Sequence, residues 1–124
     1  MLKILVVDDS IFERKIIIDT LKMLGYNNVI EAGCGEEAIN LYKKEHPDLI
    51  LLDLRMPGPS GEEVLLKLKE MDPNIKVAIL SIVRDEDTIK ELLDLGALTY
   101  ITKPITKEKI KEILKKYWEV EKNG

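Results

Sequence analysis

The feature that most constrains this chain is a fivefold alternation between a short apolar run and a longer amphipathic run. The apolar runs are rich in Ile, Leu and Val, as are the buried strands of a parallel sheet. Because strands that alternate with helices pair through right-handed crossovers, this pattern predicts a parallel sheet with helices on both faces. The predicted strands cover residues 3–7, 28–31, 48–53, 76–81 and 98–101.

Helix start and stop signals lie between these strands. Ser10 and Ser60 are each followed three residues later by a glutamate, Glu13 and Glu63, which is the spacing of a capping box. Gly25 stands where a helix C-cap is expected. The other predicted helices cover 35–44 and 85–95, and a last helix begins at a Thr106 cap. That helix has apolar residues at i, i+3, i+4 and i+7, namely Ile110, Ile113, Leu114 and Tyr117.

Length and composition indicate one globular domain that works in the cytoplasm. The chain has 124 residues with 45% hydrophobic and 34% charged residues, and its apolar runs are too short to cross a bilayer. We expect a single domain over 1–124, with a core over about 2–118 and a short tail over 119–124.

A net charge of −4 argues against nucleic-acid binding. The single cysteine, Cys34, excludes an internal disulfide and a Cys-rich metal site.

Polar side chains follow four of the predicted strands, at the point where each strand ends. Asp8 and Asp9 follow the first strand, Asp53 ends the third, Ser81 ends the fourth, and Lys103 comes shortly after the fifth. In an open parallel sheet, ligands bind outside the carboxyl ends of the strands. We therefore expect these side chains to gather at one edge of the sheet.

Three carboxylates at one sheet edge repel one another. At roughly 5 Å and an effective dielectric constant near 20, each pair costs on the order of 3 kcal/mol. Such a cluster persists by taking up protons or by holding a cation, and carboxylate oxygens suit Mg²⁺. An aspartate beside a divalent cation, a lysine and a hydroxyl has the parts needed to receive a phosphoryl group.

The motifs VVDDS, LLDLRMPGPSG, ILS and YITKP occur in this order, and together they resemble the receiver domain of two-component response regulators. The resemblance covers essentially the whole chain, from residue 3 to about 117. The expected fold is a (βα)₅ flavodoxin-like α/β sandwich of three layers, with five parallel strands in the order 2-1-3-4-5. We expect a stand-alone receiver similar to the chemotaxis regulators.

The resemblance implies a role for each matching residue. It makes Asp53 the phosphoacceptor, and it makes Asp8, Asp9, Asp53 and the backbone carbonyl of Arg55 the ligands of Mg²⁺. Lys103 would pair with a phosphoryl oxygen.

Two further residues would carry the switch. The resemblance makes Ser81 the switch hydroxyl and Tyr100 the switch aromatic, and it makes Pro104 the residue that shapes the turn after Lys103, often through a cis bond. One departure is Ile82, because a small residue usually follows the switch hydroxyl in this family. We expect the larger side chain to hinder water and to slow hydrolysis of the acyl phosphate.

The resemblance also implies partners. The phosphoryl donor would be a phosphohistidine on a sensor histidine kinase or a phosphotransfer protein. A downstream protein target would bind the face formed by the fourth helix, fifth strand and fifth helix. We expect no direct contact with nucleic acid or membrane, and a monomer or weak homodimer. Catalysis would be confined to self-phosphorylation from phosphodonors and to autodephosphorylation, so the chain would not be an enzyme in the ordinary sense.

Three other functions remain open at this point. A Mg²⁺-dependent phosphatase with an aspartyl intermediate needs a second acid soon after the nucleophile and a cap, whereas Leu54 and Arg55 follow Asp53. A flavin-binding module needs a phosphate loop after the first strand, where Asp8 and Asp9 would repel phosphate. A degenerate receiver would serve only as a docking module, and Ile82 is its sole support.

Overall fold

The computed structural model describes residues 2–116, and within this range five strands alternate with five helices. All strand pairs are parallel, and the strand order is β2-β1-β3-β4-β5. This confirms the predicted flavodoxin-like α/β sandwich. The strands are β1 Ile4–Val7, β2 Val29–Ala32, β3 Leu49–Asp53, β4 Val77–Ser81 and β5 Thr99–Thr102.

Three of the helices begin at the predicted caps. Ser10, Ser60 and Thr106 each accept a hydrogen bond from the backbone N–H three residues later, and Asp85 does the same for the fourth helix. Gly25 follows the first helix with a φ of +94°, a conformation that glycine adopts at low cost. The helices are α1 Ile11–Met23, α2 Gly35–Glu45, α3 Gly61–Met71, α4 Glu86–Asp94 and α5 Lys107–Leu114.

Alternate residues of each strand point to opposite faces of the sheet, and each face has its own core. Leu5, Ile50 and Ile79 belong to a cluster with buried residues of α2, α3 and α4. Ile4, Leu51 and other alternate residues join a second cluster with buried residues of α1 and α5. The sheet is therefore the middle of three layers, as predicted.

The observed strands differ from the predicted ones by one residue at several ends. Residues 3, 28, 48, 76 and 98 lie just outside the strands, whereas Ala32 and Thr102 lie inside. Ala32 is included because it pairs with Val7, and Thr102 is included because it pairs with Ser81. The ends of the strands depend on pairing with the neighbouring strand, and the hydrophobicity of a single segment does not indicate which of its residues are paired.

Ile110, Ile113 and Leu114 of the predicted core stripe are buried in α5. Tyr117 of the same stripe, the predicted core boundary at 118 and the predicted tail at 119–124 lie outside the described residues. Among the described helices, none is both long enough and apolar enough to cross a bilayer.

Candidate functional site

The carboxyl edge of the sheet brings together three of the side chains that the sequence placed at strand ends, those of Asp8, Asp53 and Lys103. Asp8 directly follows Val7, the last residue of β1, and Asp53 directly follows Leu52 in β3. Val7 and Leu52 both pack in the cluster with α2, α3 and α4. Strand alternation therefore turns Asp8 and Asp53 toward the α1–α5 layer. Lys103 follows β5, and its ammonium contacts both carboxylates.

Asp53 is a buried carboxylate in a cluster of like charges. Only 5% of its surface is exposed, and its Oδ1 lies 3.3 Å from Lys103 Nζ. Burial, followed by the charge of Asp8, raises the pKa of Asp53 to about 6. The Lys103 ammonium and the backbone N–H of Arg55 oppose this rise by stabilising the carboxylate. The Asp53 carboxyl group is therefore mostly ionised at neutral pH, and added positive charge nearby would lower its pKa.

Asp8 is fully buried and is fixed by its own loop. Its Oδ1 accepts a hydrogen bond from the backbone N–H of Ser10 at 2.9 Å, and its backbone carbonyl accepts one from the Arg14 guanidinium. Arg14 also forms an ion pair with Glu31 at 2.7 Å, which ties the start of α1 to β2. Burial raises the pKa of Asp8 against the opposing effects of the Ser10 N–H and Lys103.

Lys103 serves three carboxylates at once. Its Nζ lies 2.6 Å from Glu13 Oε2, 3.3 Å from Asp53 Oδ1 and 3.5 Å from Asp8 Oδ2. Burial lowers the pKa of Lys103, but the combined effect of the three carboxylates outweighs it, so the pKa is raised overall. Lys103 is therefore a permanent positive charge that partly neutralises the cluster.

Glu13 is a member of the site that sequence reasoning missed. Carboxylate oxygens of Asp8, Glu13 and Asp53 lie within 4.8 Å of one another. The hydrogen bond to Lys103 is the main reason that the pKa of Glu13 is lowered. The available signal was the Ser10–Glu13 capping box, which led us to expect Glu13 to bind the Ser10 N–H. Asp8 takes that N–H instead, so the carboxylate of Glu13 is free to reach Lys103.

Ser81 ends β4 and Tyr100 lies in β5, and the two residues share a neighbour in the loop after β4. Ser81 is buried, and its Oγ accepts a hydrogen bond from the backbone N–H of Val83 at 3.0 Å. The hydroxyl of the half-buried Tyr100 donates to the backbone carbonyl of Val83. Ile82, which lies between Ser81 and Val83 in the sequence, has 62% of its surface exposed.

Asp9 and Arg55 are placed less centrally than Asp8 and Asp53. Both residues are exposed, and among the described residues the group of clustered carboxylates consists of Asp8, Glu13 and Asp53. The metal-binding roles of Asp9 and of the Arg55 carbonyl remain predictions. The peptide bond between Lys103 and Pro104 is cis, as the resemblance led us to expect.

The donor set fits a hard divalent cation. Every clustered ligand atom is a carboxylate oxygen, and two of the three carboxylates belong to buried residues. Magnesium prefers such oxygens and keeps several of its waters, so two or three carboxylates beside an open rim suffice. Burial is the main cause of the raised pKa of both Asp8 and Asp53, and a bound cation would lower the pKa of each carboxyl group. The acidic cluster is therefore compatible with Mg²⁺.

Comparison with known proteins decides the family. Residues 4–115 match the response regulator receiver domain, which is most of the chain. The chain is a response regulator receiver domain. Its family serves two-component signalling, which agrees with the motifs and with the site geometry.

Individual relatives of this receiver domain match it over nearly their whole length. The sporulation initiation phosphotransferase F of Bacillus subtilis is 38% identical over 121 residues, which cover 98% of this chain and 97% of that protein. A chemotaxis protein CheY of Thermotoga maritima is 32% identical over 114 residues, which cover 92% and 95% of the two chains.

Solved structures show the same fold. A chain in the crystal structure of the CheX–CheY–BeF3–Mg complex from Borrelia burgdorferi superposes on this receiver domain with a TM-score of 0.89 and 32% identity. The match covers 94% of this chain and 89% of that one.

Proposed function

We propose that this receiver domain accepts a phosphoryl group on Asp53 from a phosphohistidine of a sensor histidine kinase or phosphotransfer protein. The observation that carries the proposal is the environment of Asp53. Its buried carboxylate ends β3 at the open edge of the sheet, with a lysine ammonium 3.3 Å away and a second buried carboxylate beside it. Such a site pairs a nucleophilic oxygen with fixed positive charge for the phosphoryl oxygens.

The reaction is a transfer between two residues. An Asp53 carboxylate oxygen attacks phosphorus, the phosphorus–nitrogen bond of the donor breaks, and its electron pair returns to the histidine ring. Lys103 then balances charge on the phosphoryl oxygens, and the Ser81 hydroxyl donates a hydrogen bond to one of them. Asp8, Asp9 and Asp53, with the backbone carbonyl of Arg55, would hold Mg²⁺. When bound, this ion would supply the positive charge that the carboxylate cluster lacks.

The contacts of Val83 suggest how the switch operates. Its N–H binds Ser81 and its carbonyl binds Tyr100, so one loop residue connects the two predicted switch residues. If Ser81 turned toward a phosphoryl group, it would release the Val83 N–H and loosen the position of the Tyr100 hydroxyl. We propose that the altered surface is the face formed by α4, β5 and α5. A full shift from 1:99 to 99:1 would need about 5.5 kcal/mol of differential binding.

We further propose partners of two kinds, a phosphoryl donor and a downstream target, for a cytoplasmic monomer or weak homodimer without direct nucleic-acid binding. The relatives support the two kinds: one is called a phosphotransferase, and another is named in a complex with CheX. Catalysis is limited to self-phosphorylation and autodephosphorylation. A phosphomonoester phosphatase remains the alternative, and steady turnover of a generic phosphomonoester would favour it.

The test is intact-mass measurement of the chain after incubation with acetyl phosphate and Mg²⁺. We expect one added phosphoryl group on the wild type and none on the Asp53→Asn variant. Asp19→Asn, which changes an exposed carboxylate on α1, is the matched control and should label like the wild type. Labelling of Asp53→Asn would refute the assignment of the acceptor. A wild type that takes up no phosphoryl group would favour the degenerate docking module.

A further inference from the structure

Glu13 makes the shortest of the three contacts to Lys103. The 2.6 Å distance from Lys103 Nζ to Glu13 Oε2 compares with 3.3 Å to Asp53 and 3.5 Å to Asp8. A charge-assisted hydrogen bond is short, so the distance indicates that the ammonium is bonded mainly to Glu13. The lysine that should serve the phosphoryl group therefore has another partner.

The backbone at the start of α1 makes this contact available. Glu13 stands three residues after the Ser10 cap, where a glutamate ordinarily binds back to the N–H of the capping residue. Here the Asp8 side chain accepts that N–H at 2.9 Å. Glu13 is also half exposed, with 48% of its side chain accessible, whereas Lys103 has 12%. The carboxylate reaches into the site from solvent to bind a mostly buried ammonium.

We propose that Glu13 is a positioning residue that holds the Lys103 ammonium and competes for it with the phosphoryl group on Asp53. This inference rests on the proposed function, because it assumes that Asp53 carries the phosphoryl group. In the free chain, Glu13 keeps Lys103 toward α1. After transfer, Lys103 must divide its hydrogen bonds between Glu13 and the new phosphoryl oxygens, and the nearby Glu13 charge opposes the added negative charge.

The proposal predicts effects of opposite sign on two ligands. Removing the charge of Glu13 takes a carboxylate out of the cluster and lets Lys103 neutralise Asp8 and Asp53 more fully, so Mg²⁺ should bind more weakly. The same change frees Lys103 for a phosphoryl group, so an anionic phosphoryl mimic should bind more tightly. A residue that only supports the fold would weaken the binding of both ligands when it is changed.

The experiment measures both affinities on the full chain. Mg²⁺ binding is followed by calorimetry, and binding of beryllofluoride at saturating Mg²⁺ is followed by ¹⁹F NMR. For Glu13→Gln we expect beryllofluoride to bind roughly three- to tenfold more tightly and Mg²⁺ to bind roughly two- to fivefold more weakly, as suits a half-exposed ion pair. The matched control is Glu63→Gln, because Glu63 occupies the same position after the Ser60 cap of α3. This control should leave both affinities unchanged.

A second variant separates the contact with Lys103 from simple repulsion. Glu13→Asp keeps the negative charge but shortens the side chain, so it should lose the 2.6 Å contact. If competition for Lys103 is the cause, Glu13→Asp tightens beryllofluoride binding as Glu13→Gln does. If Glu13→Asp behaves as the wild type, or if Glu13→Gln weakens the binding of both ligands, the inference is overturned while the proposed function stands. Failure of the wild type to bind beryllofluoride at all overturns both.

Discussion

The electrostatic cost of Asp53 can be measured as a change in folding stability. Asp53 has a pKa of about 6 in the folded chain against an ordinary value of 3.8, because of burial and of repulsion by Asp8. A carboxyl group whose pKa is raised by folding binds more protons in the folded state. Its presence therefore leaves the free energy of unfolding unchanged well below pH 3.8. It lowers that free energy progressively as the pH rises from 3.8 to about 6, and by a constant amount at higher pH.

The magnitude follows from the two values. A difference of about two pKa units corresponds to roughly 3 kcal/mol at pH values above 6, and about 2 kcal/mol of it develops between pH 4.5 and 7.5. Asp53 is only 5% exposed, so screening by solvent reduces this little. We therefore expect Asp53→Asn, in Mg²⁺-free buffer, to be more stable than the wild type at pH 7.5, with an advantage that shrinks by about 2 kcal/mol at pH 4.5.

Urea unfolding monitored by circular dichroism at several pH values measures this difference, with EDTA present to remove divalent ions. Asp19→Asn, on the exposed surface of α1, controls for the loss of one negative charge and should show no such pH-dependent advantage. Adding Mg²⁺ at ten times its dissociation constant should stabilise the wild type by about 1.4 kcal/mol and Asp53→Asn by less. Parallel pH profiles for the wild type and Asp53→Asn would refute the argument that Asp53 is ionised at a cost.

Three further changes test neighbouring parts of the site. In Gly61→Ala, the added Cβ would lie 2.7 Å from Leu54 Cα, so we expect a stability loss of about 1–3 kcal/mol in urea unfolding and slower labelling by acetyl phosphate. Tyr100→Phe removes the hydrogen bond to the Val83 carbonyl, and thermal or urea unfolding should show a loss of about 0.5–1.5 kcal/mol. Ile82→Ala opens the rim of the site, and decay of the phosphorylated chain, followed by intact mass, should be several-fold faster. An unchanged lifetime would show that Ile82 does not shield the acyl phosphate.

Much of the site could be predicted because it depends on regular structure. Strand alternation and the parallel sheet place Asp8 and Asp53 on one face at one edge, and Lys103 follows β5 at the same edge. These relations require only the position of each residue at the end of its strand. The caps at Ser10, Ser60 and Thr106 were likewise local, since each depends on a backbone N–H three residues away.

Glu13 could not be assigned in this way because its contact is not local. Its partner is 90 residues away in the chain, and the local pattern around Ser10 offered a complete alternative for its side chain. The choice between the two depends on Asp8, whose Oδ1 takes the Ser10 N–H. Asp9 was predicted at the site because it is adjacent to Asp8 in sequence. The chain leaves the sheet at this point and Asp9 is exposed, so its metal-binding role stays a prediction.

The charges in contact at the site explain why a divalent cation and a phosphoryl group should bind as they do. Asp8, Glu13 and Asp53 oppose a single ammonium from Lys103, so these four groups, when all are ionised, carry an excess of two negative charges. One Mg²⁺ would balance that excess. Phosphorylation replaces the single charge of Asp53 with about two on the phosphoryl group, which leaves one negative charge in excess even with the ion present. Glu13 is the one carboxylate of the three that is half exposed and that takes no part in the proposed transfer. Its charge can therefore be removed without changing the acceptor or the buried Asp8. The same count gives a neutral phosphorylated site when Glu13 is replaced by Gln. The reason to expect tighter binding of the phosphoryl mimic in both Glu13→Gln and Glu13→Asp is that each change releases the Lys103 ammonium, which Glu13 holds at 2.6 Å, to the phosphoryl oxygens.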